Sequence, residues 1–190
     1  MKSGVQKVQT PLGSTKLGPK EMALVEKVRD ILNLVIVEER AWSFLVDLGN
    51  PSRGNLILAV AQYPETLRIA EYALKTAFII HLASLFDEDK RSFTLLRVPG
   101  VTSIKDYDKL SGDGKKLFKF RNKFVAHVDE QEATSNPLGN LPFTFGELQH
   151  LIQQASRVFN EAMDKLGLPG TSETDITLEL HRLLDRKGSQ

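Results

Sequence analysis

Cysteine is missing from all 190 residues, which removes disulfides, thiolate metal sites and a cysteine nucleophile together and fits an intracellular protein. Sustained alternation of apolar and polar residues is missing too, so no segment reads as a strand. No internal repeat is visible. The opening MKSGVQKVQTPLGSTKLGPK lacks the apolar stretch of a signal peptide, and residues 1–18 read as a polar tail. The most apolar run, TAFIIHLASLF at 76–86, is too short for a bilayer span and carries His81. Net charge is nearly absent, with 25 Lys plus Arg against 24 Asp plus Glu, so any attraction for phosphate must be local. The four histidines, 81, 127, 150 and 181, show no HExxH or other ligand spacing, so neither a metal nor a cofactor is expected. A cytoplasmic protein with no membrane partner is the expectation.

What is present is helical periodicity. Leu24, Val28, Ile31, Val35, Trp42 and Leu45 recur at helical spacing between about Lys20 and Leu48, with Pro19 at the start and Gly49, Asn50 and Pro51 as the stop. A second stretch begins near Asn55, is interrupted at Tyr63 and Pro64, and resumes from Glu65 to Phe86. SFTLLRV makes at best a helical turn, and PGVTS and SGDG bracket a polar loop. A helix is then expected from about Gly114 to His127, followed by the loop EQEATSNPLGNLP. Thr144 and Glu147 form a capping box for a helix reaching Leu166, ended by Gly167, Pro169 and Gly170. A last short helix covers Thr174 to Asp185. The expected fold is all-α, an antiparallel bundle of five to six helices, in one domain over residues 19–187.

The segment KKLFKFRNKFVAHVDE, residues 115–130, puts five cations and no anion into 115–123: Lys115, Lys116, Lys119, Arg121 and Lys123. At about 100° per residue, Lys116, Lys119, Lys123 and His127 share one face, and Leu117, Phe124, Val125 and Val128 another. Arg121 falls within the apolar stripe. A guanidinium there needs an internal carboxylate, a second subunit or an anion. Solvated basic faces and snorkelling arginines are common, so the pattern alone also fits an ordinary surface.

The order RNKFVAH, residues 121–127, resembles the Arg-polar-spacer-His signature of HEPN domains. FIIHLASLFDEDKRSFTLLRV, residues 78–98, is similar to the helix and acidic turn of the branch found in AbiU-type abortive-infection proteins. The similarity covers about residues 20–166. It implies a helical domain that dimerises so that the Arg and His of both chains line one cleft, in many members a metal-independent RNase of the defence or toxin kind. Carried onto this chain, it makes Arg121 and His127 the catalytic pair and Asn122 a positioning residue, with RNA as substrate, a homodimer as the acting form and an antitoxin protein as a further partner. Adenylylated members carry a Tyr two residues after the His; here that residue is Asp129, which argues against silencing by that route.

On a straight helix Arg121 and His127 lie about 9 Å apart along the axis and about 120° apart around it. A bend or a partner chain is therefore needed to bring both to one phosphate. Lys115, Lys116, Lys119 and Lys123 would follow the RNA backbone without reading sequence. The competing function is a non-catalytic module that binds nucleic acid, a nucleotide or a protein through the same basic surface. A plain scaffold, with Arg121 paired to Asp87 or Glu71, is the third. GDGKK at 112–116 lacks the first Gly and the final Ser or Thr of a phosphate loop and reads as a flexible lead-in to the basic helix. His81 reads as a satisfied core histidine. Asp87, Glu88 and Asp89 read as a charged helix end, with pairing to Arg121 or a cation as the other use.

Overall fold

The computed structural model describes residues 17–48, 63–127 and 141–172, apart from the side chains of residues 48 and 124–127. These contain four α-helices: α1 (Pro19–Leu48), α2 (Pro64–Ser84), α3 (Tyr107–His127) and α4 (Phe145–Leu166). Two short 3-10 turns, Leu95–Arg97 and Val101–Ser103, lie between α2 and α3. The described residues contain no strand, and none of their helices is long and apolar enough to cross a membrane. The helical stretch expected from Asn55 to Tyr63 and the one from Thr174 to Asp185 fall almost wholly outside the described residues, as does the N-terminal tail.

Each helix forms where its sequence gives it a buried stripe. In α1, Leu24, Val25, Val28, Leu32 and Val35 are buried at three- and four-residue steps. Pro19 occupies a position with no N–H to satisfy, and the Gly18 N–H donates to Glu21 Oε2 at 2.8 Å. In α4 the expected capping box is present. The Glu147 N–H donates to Thr144 Oγ1, and the Thr144 N–H donates back to Glu147 Oε2 at 2.7 Å. Gly167, at φ 68°, ends that helix in the left-handed region that a Cβ disfavours.

Three sets of contacts fix the directions of the helices. Glu38 meets His81 and Trp42 meets Phe78, so α1 and α2 run antiparallel. Trp42 also meets Phe145, Glu39 meets Gln149, and Asn33 meets Ser172 beyond the end of α4, so α1 and α4 are antiparallel as well. Trp42 thus joins three helices at one node. Asp106, just before α3, pairs with Arg157 far along α4 at 2.9 Å, while Lys116 and Glu147 border one cleft, which makes α3 and α4 antiparallel too.

One boundary differs from expectation. SGDG, residues 111–114, is not a loop: α3 begins at Tyr107 and passes through it. The reason is packing. Leu110, Gly114 and Leu117 form one inward stripe, with both leucines buried, and a Cβ on Gly114 would lie 2.0 Å from Cδ1 of the fully buried Phe86. Burial against Phe86 overrides the poor helix propensity of two glycines. Gly112 is exposed, and a Cβ there would meet nothing within 4 Å.

The two glycines therefore predict opposite responses to alanine. Gly112→Ala stabilises by about 0.5–1 kcal/mol through helix propensity alone, whereas Gly114→Ala forces Phe86 aside and costs roughly 1–3 kcal/mol. Urea denaturation of both variants beside the parent checks this; equal shifts would refute the close packing.

Candidate nucleic-acid interface

The cations of α3 divide into two groups. Lys115 Nζ lies 2.8 Å from Glu88 Oε1, and Lys116 Nζ lies 2.8 Å from Asp113 Oδ1. The bond from Lys115, with the nearby charges of Lys115 and Lys119, holds the Glu88 carboxyl below the usual carboxylate range, and the same partnership raises Lys115. Lys119 and Lys123 are exposed and make no ion pair among the described residues. The acidic turn after α2 thus engages the first of the five cations and leaves Arg121 alone. Its other carboxylates act locally: Asp87 Oδ2 accepts from Ser92, and Asp89 pairs with Arg91.

Arg121 is half-buried, and its partners come from its own helix. The guanidinium carbon sits 4.5 Å from the centroid of the Phe118 ring. Nη2–H and Nε–H both donate to Asn122 Oδ1, at 2.7 and 3.1 Å. No carboxylate among the described residues pairs with it, so the internal ion pair to Asp87 or Glu71 is not formed. A planar cation thereby has a ring on one side and an amide on one edge, and no acceptor among the described residues is bonded to Nη1. Helix α3 continues to His127, whose side chain lies outside the described residues, as does that of Phe124. Lys119 and Lys123 are each two residues from Arg121, about 160° around the helix. One α3 helix therefore presents a lysine face and an arginine face in different directions.

Beside α3 a cleft of about 580 Å³ opens toward the N-terminal turns of α4, bordered by Lys109, Asp113 and Lys116 on one side and by Phe143, His150 and Gln154 on the other. Gln154 Nε2 and His150 Nε2 lie 2.7 Å apart in a hydrogen bond across one turn of α4. Sequence reasoning overlooked this cleft, because Lys109, Phe143 and His150 are far apart in the chain and carry no motif.

His81 has the partner that the sequence left unnamed. Its Nδ1–H donates to both oxygens of Glu38, at 2.8 and 3.0 Å, and Glu38 is buried while the ring is partly exposed. Glu38 lies 43 residues away on α1, beyond the reach of any local spacing in the sequence. The pair ties α1 to α2 beside the Trp42 node.

Compared with known proteins, the chain matches no family model, no curated sequence and no solved structure. The likeness to HEPN domains therefore rests on the residues quoted for it.

Two outcomes follow from this geometry. His81→Leu strands the buried Glu38 carboxylate and costs roughly 1–3 kcal/mol, while adding Glu38→Met recovers most of the loss; chemical denaturation of the single and double variants measures both. At α4, the Thr144 backbone bond and then its hydroxyl lower the pKa of Glu147 below 4.5. A depressed folded-state pKa contributes stability above the unfolded value, and that stability is lost as pH falls through the folded one. Glu147→Gln is accordingly expected to flatten the decline in melting temperature below about pH 4.5, and an unchanged acid limb would count against the cap.

Proposed function

We propose that this protein is a metal-independent endoribonuclease of the HEPN defence or toxin kind, acting as a homodimer. The observation that carries the reading is the state of Arg121: a guanidinium held on Phe118 and Asn122, unpaired with any described carboxylate, within the element RNKFVAH. Such a group can donate to two phosphate oxygens at little further cost in side-chain entropy.

The chemistry needs few parts. A neutral His127 takes the proton of a ribose 2′-hydroxyl, and the 2′-oxygen attacks the adjacent phosphorus. Arg121 offers its Nη1 donors to the non-bridging oxygens as charge builds on them. The bond from phosphorus to the 5′-oxygen breaks, and that oxygen takes a proton from a cationic imidazole, either His127 returning the proton it took or the protonated His127 of the second chain. The products are a 2′,3′-cyclic phosphate and a 5′-hydroxyl end. The angular gap between Arg121 and His127 on one helix is what makes the second chain useful, since it lets the arginine of one chain serve the histidine of its partner. Lys119 and Lys123, exposed and without ion pairs among the described residues, would carry the salt-sensitive contacts to the strand. Lys115 and Lys116, engaged by Glu88 and Asp113, would contribute less.

The test is incubation with labelled single-stranded RNA in EDTA, with analysis of product ends. The parent is expected to leave cyclic-phosphate ends, with cleavage slowed roughly 10²–10⁴-fold in His127→Ala and roughly 10²–10³-fold in Arg121→Ala. Cleavage by His127→Ala at the parent rate would reject the assignment. Salt-dependent binding by the parent without any cleavage would instead favour a non-catalytic nucleic-acid-binding module.

A further inference from the structure

We infer that the cleft between α3 and α4 receives one unstacked base of the bound RNA strand, several nucleotides from the scissile phosphate. This rests on the RNA-binding part of the reading above and adds a subsite to it.

The chemistry of the cleft separates a base from a phosphate. Lys109 and Lys116 are offset by Asp113 and Glu147, and Lys116 is already paired with Asp113 at 2.8 Å. Glu147 caps α4, so a carboxylate already sits at the N-terminus of that helix and weakens its attraction for an anion. A site with cancelled charge gains little from a phosphate. A neutral flat ring suits it better: Phe143, half-buried, supplies an apolar wall on which a base can stack. Polar groups stand around that wall. His150 and Gln154, bonded to each other at 2.7 Å, each keep a further polar atom for the edge of a base. The carbonyl oxygen of Gln154 and the second carboxylate oxygen of Asp113 supply acceptors. A volume of about 580 Å³ is in the range of sites that enclose small organic groups.

Position favours a nucleic-acid base over an unrelated small molecule. Lys109, Lys116, Lys123 and His127 follow one another at steps of seven, seven and four residues, which keeps them on one side of α3. The cleft is therefore the far end of the track that leads past Lys123 to His127. Lys116 and His127 are eleven residues apart, roughly 16 Å along the helix axis. That distance corresponds to about five nucleotides of stacked strand and fewer of an extended one.

The experiment uses the full-length His127→Ala protein, so that the RNA persists, and measures binding of single-stranded oligonucleotides of about four and about ten nucleotides by fluorescence anisotropy. The longer strand is expected to bind roughly five- to hundredfold more tightly, with a part of that gain insensitive to salt. Replacing single nucleotides of the long strand by abasic ribose should find one position at which the salt-insensitive gain is lost. Phe143→Ala should remove the same gain; because Phe143 touches the core, the exposed pair Lys109→Ala and His150→Ala serves as the variant free of any folding defect and should weaken it as well. Loss of the gain at the abasic position and in the variants supports the cleft even if the parent never cleaves RNA, in which case only the nuclease reading fails. Cleavage by the parent, with a length gain that no abasic site and no cleft variant alters, overturns the cleft alone. Absence of RNA binding by the long strand overturns both.

Discussion

The contact between Gly114 and Phe86 decides how α3 sits in the bundle. With no Cβ at Gly114, the helix backbone approaches the Phe86 ring closely enough to bring Leu110 and Leu117 into the core on either side of it. This rotation leaves the lysines of α3 facing away from the core and aligns Lys109, Asp113 and Lys116 with the N-terminal turns of α4. Asp106 reinforces the setting at the start of the helix. It takes a left-handed backbone conformation, which Asp tolerates, and its carboxylate is held by Arg157 of α4. A single close approach and a single turn residue together define which faces of α3 are available for chemistry.

Five cations in nine residues behave as three kinds of group once folded. Lys115 secures the acidic turn after α2, and Lys116 closes an i, i+3 pair on its own helix. Lys119 and Lys123 remain exposed. Arg121 is held rigidly by an aromatic ring and an amide. Coulomb attraction at the surface falls off within about 8 Å in physiological salt, so the exposed lysines act only on what is already close. A planar guanidinium offers two parallel hydrogen bonds to one acceptor group, which a lysine ammonium does not.

Helix periodicity made most of the fold legible. The long first helix, the helix resuming after Pro64 and the capped helix from Thr144 to Gly167 stand in the structure nearly where the apolar spacing and the cap residues place them. The start of α3 was illegible because the signal there is tertiary: local propensity treats Gly112 and Gly114 as breakers, and only Phe86, 28 residues earlier, explains Gly114 in a helix. Glu38 was missed as the partner of His81 for the same reason, a contact between helices across 43 residues of sequence. At the candidate site, the burial of Leu117 and the exposure of Lys116, Lys119 and Lys123 follow the helical wheel. The holding of Arg121 does not. The wheel showed a charge within an apolar stripe and called for an outside partner, whereas the side chain found Phe118 and Asn122 on its own helix.

Trp42 is the only tryptophan in the chain. Its indole is buried, lies against Phe78 of α2 and Phe145 of α4, and has the Lys75 ammonium 5.7 Å from its ring. Intrinsic fluorescence excited at the indole band consequently comes from one place where three helices meet, with no second emitter to average over. Separation of α2 or α4 from α1 exposes that ring to water and moves its emission to the red. The protein therefore carries its own optical probe of whether the bundle is closed.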